Sequence, residues 1–263
     1  MTRQTAIIWV WGLVLIAGAV GGGYAWWRQQ DLTQAYEAGR VAADADRWEE
    51  ALALAQPYAD RDDPRINGLL ADAYINGPEP IQDIDKGLTL RRRAAEAGNM
   101  RAAYFLARWI LENEPTDAQA QEAIGYLQEA ADCGMPMANY DLGIIFSNND
   151  YAKLDYQKAI VYSEYAAFAG VPGAAWNAGV VYAKMIKNDR SLLDAIGPKS
   201  MYWLLISKKN GDIEAKKEIE KIRGRIETSE GIEYSKKWFE TLNNETNQWA
   251  EGIHPLAHLE CVK

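Results

Sequence analysis

Two histidines and two cysteines are all that a chain of 263 residues offers of the side chains most used for nucleophilic, acid-base and metal chemistry. The histidines, His254 and His258, both stand in the last ten residues. With only Cys133 and Cys261 able to oxidise, there is no disulfide scaffold and the fold must rest on packing. Cys133 precedes a helix-ending glycine, where a small buried residue fits without a redox role. A basic surface is also missing. The net charge is −9, and residues 28–150 carry 11 Lys and Arg against 22 Asp and Glu. Nucleic acid is therefore not expected as a partner, because phosphate recognition needs clustered cations. Gly21-Gly22-Gly23 is no phosphate loop, since it lies in an apolar run with no G-K-S/T after it.

The chain has one long uncharged stretch, twenty-two residues from Ala6 to Trp27. At about 1.5 Å per residue it spans the roughly 30 Å hydrocarbon layer of a bilayer. Trp9 and Trp11 near one end and Tyr24, Trp26 and Trp27 at the other suit the two interfaces. Gly18 and Gly22 form a G-x-x-x-G pair, which serves either close helix contact in the membrane or simply a small-residue anchor. We expect residues 1–5 to be a short N-terminal segment and residues 6–27 a single transmembrane helix, a signal-anchor. The N-terminus is then cytoplasmic and the bulk lies on the periplasmic or extracytoplasmic side. A second reading keeps Ala17-Gly18-Ala19 as a signal-peptidase site, which would release a soluble secreted module.

Beyond the apolar run the sequence repeats with a period of thirty-six. Leu70, Leu106, Leu142 and Ala178 obey it, as do the small residues Ala71, Ala107, Gly143 and Gly179. Ile66, Ala102, Ala138 and Ala174 lead each set, and Tyr74, Ile110, Phe146 and Tyr182 close it. Offsets of zero, four, five and eight place each set on one stripe of a helix, with the small residue where a neighbouring helix comes close. A second helix ends each unit at Ala94-Ala95-Glu96-Ala97-Gly98, Ala130-Ala131-Asp132-Cys133-Gly134 and Ala166-Ala167-Phe168-Ala169-Gly170. The closing glycines predict left-handed helix ends, and Pro64, Met100, Pro136 and Pro172 predict the starts that follow. The last unit closes at Gly211, with its extra residues between Met185 and Lys199 predicted as a loop.

These residues resemble the Sel-one-like repeat family, relatives of tetratricopeptide repeats. The nearest match joins Ala138-Asn139-Tyr140-Asp141-Leu142-Gly143 to Lys158-Ala159 and Ala166-Ala167-Phe168-Ala169-Gly170. The G-x-G-V segment usual between the helices is absent, replaced by Gly77-Pro78-Glu79-Pro80, Glu114-Pro115 and Ser147 to Asp150. The resemblance implies an all-α fold, an α/α solenoid of about four to five helix-turn-helix repeats, acting as an adaptor for other proteins. The expected organisation is a degenerate repeat over 28–63, repeats over 64–211, capping helices over 212–250 and a tail over 251–263.

Candidate binding residues follow from the predicted inner helices. Tyr104, Tyr140 and Trp176 keep the period and suit either peptide anchoring or inter-repeat packing, and Arg65, Arg101, Arg108 and Lys184 share their face as a basic stripe for an acidic segment. Arg91-Arg92-Arg93 is read as a solvated face, since consecutive helical residues diverge. In the tail, His254, His258 and Cys261 give H-x-x-x-H-x-x-C, a partial zinc or copper set that lacks a fourth ligand unless Glu260 or a partner supplies one. Pro255 interrupts a helix between the histidines, so an exposed or partner-docked tail is the expectation. No metal, cofactor or reaction is assigned. The expected role is a membrane-anchored scaffold binding subunits of a membrane or envelope complex, with an accessory subunit of a membrane enzyme as the alternative.

Overall fold

The computed structural model describes residues 30–227. The expected membrane helix with Trp9, Trp11, Gly18, Gly22, Tyr24, Trp26 and Trp27 lies outside these residues, as do the expected second capping helix and the tail with His254, His258 and Cys261. Among the described residues no helix is long and apolar enough to cross a membrane. All their regular elements are helical. In order they are α1 (residues 30–44), α2 (Trp48–Ala55) running into a 3-10 turn (Gln56–Arg61), α3 (Pro64–Asn76), α4 (Ile84–Glu96), α5 (Met100–Glu112), α6 (Asp117–Asp132), α7 (Pro136–Ser147), α8 (Tyr156–Phe168), α9 (Ala174–Asn188), α10 (Leu193–Lys209) and α11 (Ile213–Glu227). This gives five successive helix pairs and one further helix among the described residues. The chain divides into two compact units, one ending at Ala102 and the other starting at Ala103.

In the first unit α2 packs on α3 and α3 on α4. Its core joins Leu32, Ala42 and Ala51 to Ile66, Leu69 and Leu70, with Tyr36, Trp48 and Tyr58 partly buried against them. In the second unit α6, α7, α8, α9 and α10 each pack on the next helix. Its last core, Ala183, Met201, Leu204, Ala215 and Ile219, is where the charged helix α11 lays down its apolar stripe. Every member of the thirty-six-residue stripe is buried, from Ile66, Leu70, Ala71 and Tyr74 to Ala174, Ala178, Gly179 and Tyr182. Each fully buried Leu or Ile is worth roughly 1.5–3 kcal/mol, so the stripe supplies the main cohesion.

Helix ends follow the predicted code. Gly98, Gly134, Gly170 and Gly211 have φ of 88, 83, 78 and 95°. In each case two nested backbone hydrogen bonds close the end: Asn99 N–H donates to Ala94 and Gly98 N–H to Ala95, with the same pattern at 135, 171 and 212. Asp62, thirty-six residues before Gly98, takes the same left-handed geometry at φ 52° without being glycine. Its neighbour Asp63 caps α3 by accepting from the N–H groups of Arg65 and Ile66. Between α7 and α8 the chain reaches back to the preceding pair: Tyr151 donates its hydroxyl to the Leu111 carbonyl at 3.1 Å and accepts from Gln121 at 3.0 Å.

Three expectations change. Pro172 does not start a helix: it sits in a turn, and α9 begins at Ala174 after Gly173, which is left-handed at φ 80°. A side chain on Gly173 would place its Cβ 3.0 Å from the Tyr140 hydroxyl, so the turn is pressed against α7. The residues between Met185 and Lys199 are not a loop. They lengthen α9 to Asn188, form a 3-10 turn at Arg190–Leu192, and open α10, which carries Pro198 inside it. Cys133 is not a buried filler, being partly exposed.

The glycines make a stability test. A Cβ on Gly143 would lie 2.4 Å from Ser163 Oγ and 3.2 Å from the Ser163 backbone nitrogen, whereas one on Gly125, mid-helix in α6, meets nothing within 4 Å. Gly125→Ala should stabilise the protein by about 0.5–1 kcal/mol through helix propensity. Gly143→Ala should destabilise it, because α7 and α8 must move apart. Thermal melts followed by circular dichroism should shift in opposite directions.

Candidate functional site

In the first unit the unusual chemistry gathers at one buried acid. Asp72 lies on α3 beside the small residue Ala71, with its side chain 10% exposed. Such a carboxylate needs cationic partners to offset lost hydration. Arg40 of α1 donates to its Oδ2 at 2.8 Å and Arg91 of α4 donates to its Oδ1 at 2.8 Å. Arg101, at the start of α5, holds its Nε 3.8 Å from Oδ2. Arg40 also pairs with Asp44 one turn on. Burial lowers the proton affinity of Arg91, the Asp72 charge opposes that, and the positive Arg101 adds to the lowering.

Arg65 stands thirty-six residues before Arg101 and is their equivalent on α3. It donates to Asp63 at 3.0 Å and rests over the Tyr36 ring at 5.6 Å, and the Asp63 hydrogen bond raises its proton affinity. Asn99 ties the two helix starts together: its amide donates to the Pro64 carbonyl at 2.8 Å while its carbonyl accepts from Ala102 N–H at 3.1 Å. Gly68 is required here, because a Cβ would lie 2.8 Å from the Asn99 amide nitrogen. The result is a small crevice lined by Tyr36, Arg40, Arg65, Asp72, Asn99 and Arg101 over Gly68, Leu69 and Ala102.

The second unit treats its predicted residues differently. Tyr104 is 5% exposed and belongs to the core, so it is no surface anchor. Its hydroxyl and Asp141 Oδ2 are buried, and the hydroxyl lies close to both Arg108 and Asp141 without a hydrogen bond of good geometry to either. Burial first, and then the Asp141 charge, push the Tyr104 hydroxyl up. Burial likewise pushes the Asp141 carboxyl up against the pull of Arg108. Arg108 donates to Glu112 at 2.6 Å on the exposed side of α5. Tyr140 is half-buried under the Gly173 turn, and Trp176 packs against the Met201 and Leu204 core. Lys184 caps α7, donating to the Ser147 carbonyl at 3.1 Å and to Asn148 Oδ1 at 3.2 Å. The expected basic stripe is thus engaged with the protein's own acids and helix ends.

Two organising residues, Arg40 and Asp72, escape a reading based on the period alone. Asp72 carried a signal nonetheless: a charged residue next to the invariantly small position, matched in register by Arg108 in the next repeat. Arg91, the first of the three consecutive arginines, is 5% exposed in an ion pair and is not solvated, while Arg93 stays on the surface, 3.6 Å from Asp62. Among the described residues no group of three or more His, Cys, Asp and Glu side chains is placed to hold a metal ion.

No protein-family model matches the chain, and no curated protein does. Solved structures share its fold. One is a protective antigen of uropathogenic Escherichia coli displaying an SLR fold, with a TM-score of 0.63 and 17% identity over 89% of this chain and 49% of that one. Another is a Sel1 repeat protein from Oxalobacter formigenes, with a TM-score of 0.51 and 22% identity over 73% of this chain and 75% of that one. The chain spans about half the length of the first. The likeness is one of fold, and it agrees with the α/α repeat architecture expected from the thirty-six-residue period.

Two substitutions separate the buried acids. Asp72→Asn leaves Arg91 buried without its counter-charge and should destabilise the protein by about 3 kcal/mol, read as a lower urea midpoint. Asp141 behaves in the opposite sense. Its folded-state proton affinity is raised, so it favours folding below the ordinary aspartate range and that contribution is lost as pH rises through the raised folded value. Asp141→Asn should remove this slope, so the variant gains stability relative to the wild type as pH rises from the ordinary aspartate range upward. Urea unfolding over a pH series checks the sign.

Proposed function

We propose that this chain is a membrane-tethered binding scaffold, whose helical repeats hold a partner protein beside the bilayer and help to assemble a membrane or envelope complex. The supporting observation is the repeat architecture itself. Within each unit the helix pairs bury one apolar stripe, and the starts of successive first helices carry long polar side chains, Arg65 and Arg101, at equivalent positions. Such surfaces recognise extended or helical segments of other proteins. The uncharged segment 6–27 and its flanking aromatics support tethering, which raises the local concentration of any partner in the same membrane. In this reading the N-terminus is cytoplasmic, the repeats lie on the periplasmic side, and no reaction is assigned.

Extraction of the full-length protein in mild detergent, with mass spectrometry of what accompanies it, tests the proposal. Stoichiometric partners should accompany the full-length chain, and a form lacking residues 1–28 should leave the membrane fraction. A protein recovered alone, shortened by its first nineteen or so residues, would overturn both tether and assembly and favour a secreted module.

A further inference from the structure

We propose that the cleft between the start of α2 and the end of α3 is a docking site of the scaffold, and that it takes an arginine side chain from an extended segment of a partner protein. This rests on the scaffold reading above and adds the chemistry of what is bound. The cleft has a volume of about 630 Å³. One side is the turn after α1 with the first turn of α2, and the other is Asn76, Gly77 and Pro78 where α3 ends. Such a volume holds a long side chain and part of the backbone that carries it.

Charge selects the occupant. The stretches 44–50 and 76–85, parts of which line the cleft, hold seven acids and a single base, Arg47. Arg47 is engaged by its own neighbour, donating to Glu50 at 2.6 Å. Asp44 pairs with Arg40, and Asp83 caps α4. Asp46 and Glu49 are exposed cleft residues that form no ion pair among the described residues. The complementary group is therefore a cation.

The walls narrow that to arginine. Trp48, partly buried against the core of the first unit, and Pro78 give the cleft an apolar side. A planar, weakly hydrated guanidinium lies on an indole while its edge donates to a carboxylate, whereas a compact, strongly hydrated ammonium gains less there. The frame is set before binding. Asp46 is left-handed at φ 55°, its N–H donating to the Ala43 carbonyl at 3.0 Å and the next N–H to Ala42 at 2.9 Å. Asn76 donates its amide to the Asp72 carbonyl at 3.0 Å, and a Cβ on Gly77 would lie 2.5 Å from the Ala73 carbonyl oxygen. Such fixing reduces the ordering cost of binding.

The full-length chain in mild detergent is applied to an array of short peptides with neutral flanks, printed in sets that differ only at a central Arg, Lys or citrulline. Citrulline keeps the shape of arginine without its charge. Arginine peptides should bind about tenfold better than their citrulline twins, with lysine between them. Asp46→Asn combined with Glu49→Gln should remove most of that preference, since Asn tolerates the left-handed backbone and both sites are exposed. Glu96→Gln combined with Glu129→Gln, which removes the same charge from exposed sites outside the cleft, should leave it intact. N-acetylarginine amide should compete for the wild type, a readout that needs no variant.

Citrulline or lysine binding as well as arginine, an unchanged preference in the cleft variant, an equal loss in the outside variant, or no competition would each overturn the assignment. If that happens while partners still co-purify with the full-length chain, the cleft alone is wrong and the scaffold stands. If arginine preference is intact but nothing co-purifies, the scaffold reading fails instead.

Discussion

The architecture depends on how closely the two helices of a pair can approach. At the position after Leu70, Leu106, Leu142 and Ala178 the chain carries Ala71, Ala107, Gly143 and Gly179, never anything larger. At Gly143 and Gly179 the room for even one methyl group is gone, since Ser163 and Leu204 already occupy it at 2.4 and 2.7 Å from where a Cβ would sit. With backbones this near, alanine pairs such as Ala94-Ala95 and Ala166-Ala167 become core residues despite their size. The fold therefore gains its density from small side chains as well as from leucine and isoleucine, and a surface rich in alanine on both helices is a consequence of packing.

Buried charge is the second theme, and it is local. Asp72 stands next to the stripe's small position, and Arg40 and Arg91 come to it from two other helices as its counter-charges. Replacing such a group by an apolar one is often tolerated, but breaking it is costly. What this ion-pair centre adds is orientation. It fixes α1, α3 and α4 at one point and sets the rim on which Arg65 and Arg101 are displayed.

Much of the fold was legible in the sequence because its cause is periodic. Small, large and glycine positions recur at thirty-six because every pair solves the same packing problem, so Gly98, Gly134 and Gly170 announce helix ends and their neighbours announce buried stripes. What the period does not govern was not legible. Pro172 looked like a helix start, yet Gly173 supplies the left-handed residue beneath Tyr140 and moves the start. The residues after Met185 looked like an insertion, yet most of them extend two helices. The candidate site divides similarly. Arg65 and Arg101 were found as members of one predicted inner face, whereas Arg40 and Asp72 depend on which helices meet. Tyr104 kept the period but went inside, because a periodic aromatic serves the core as readily as a groove.

The Tyr151 strap bears on how such chains can evolve. Its hydroxyl bonds forty residues back to Leu111 in α5, and Gln121 in α6 grips its carbonyl. A clean excision of one thirty-six-residue unit would preserve the register of every stripe and still strand this bridge, leaving a tyrosine and a carbonyl without each other. Repeats that look interchangeable in sequence are thus individually addressed to their neighbours, and the order of units is as much a constrained property of the chain as their number.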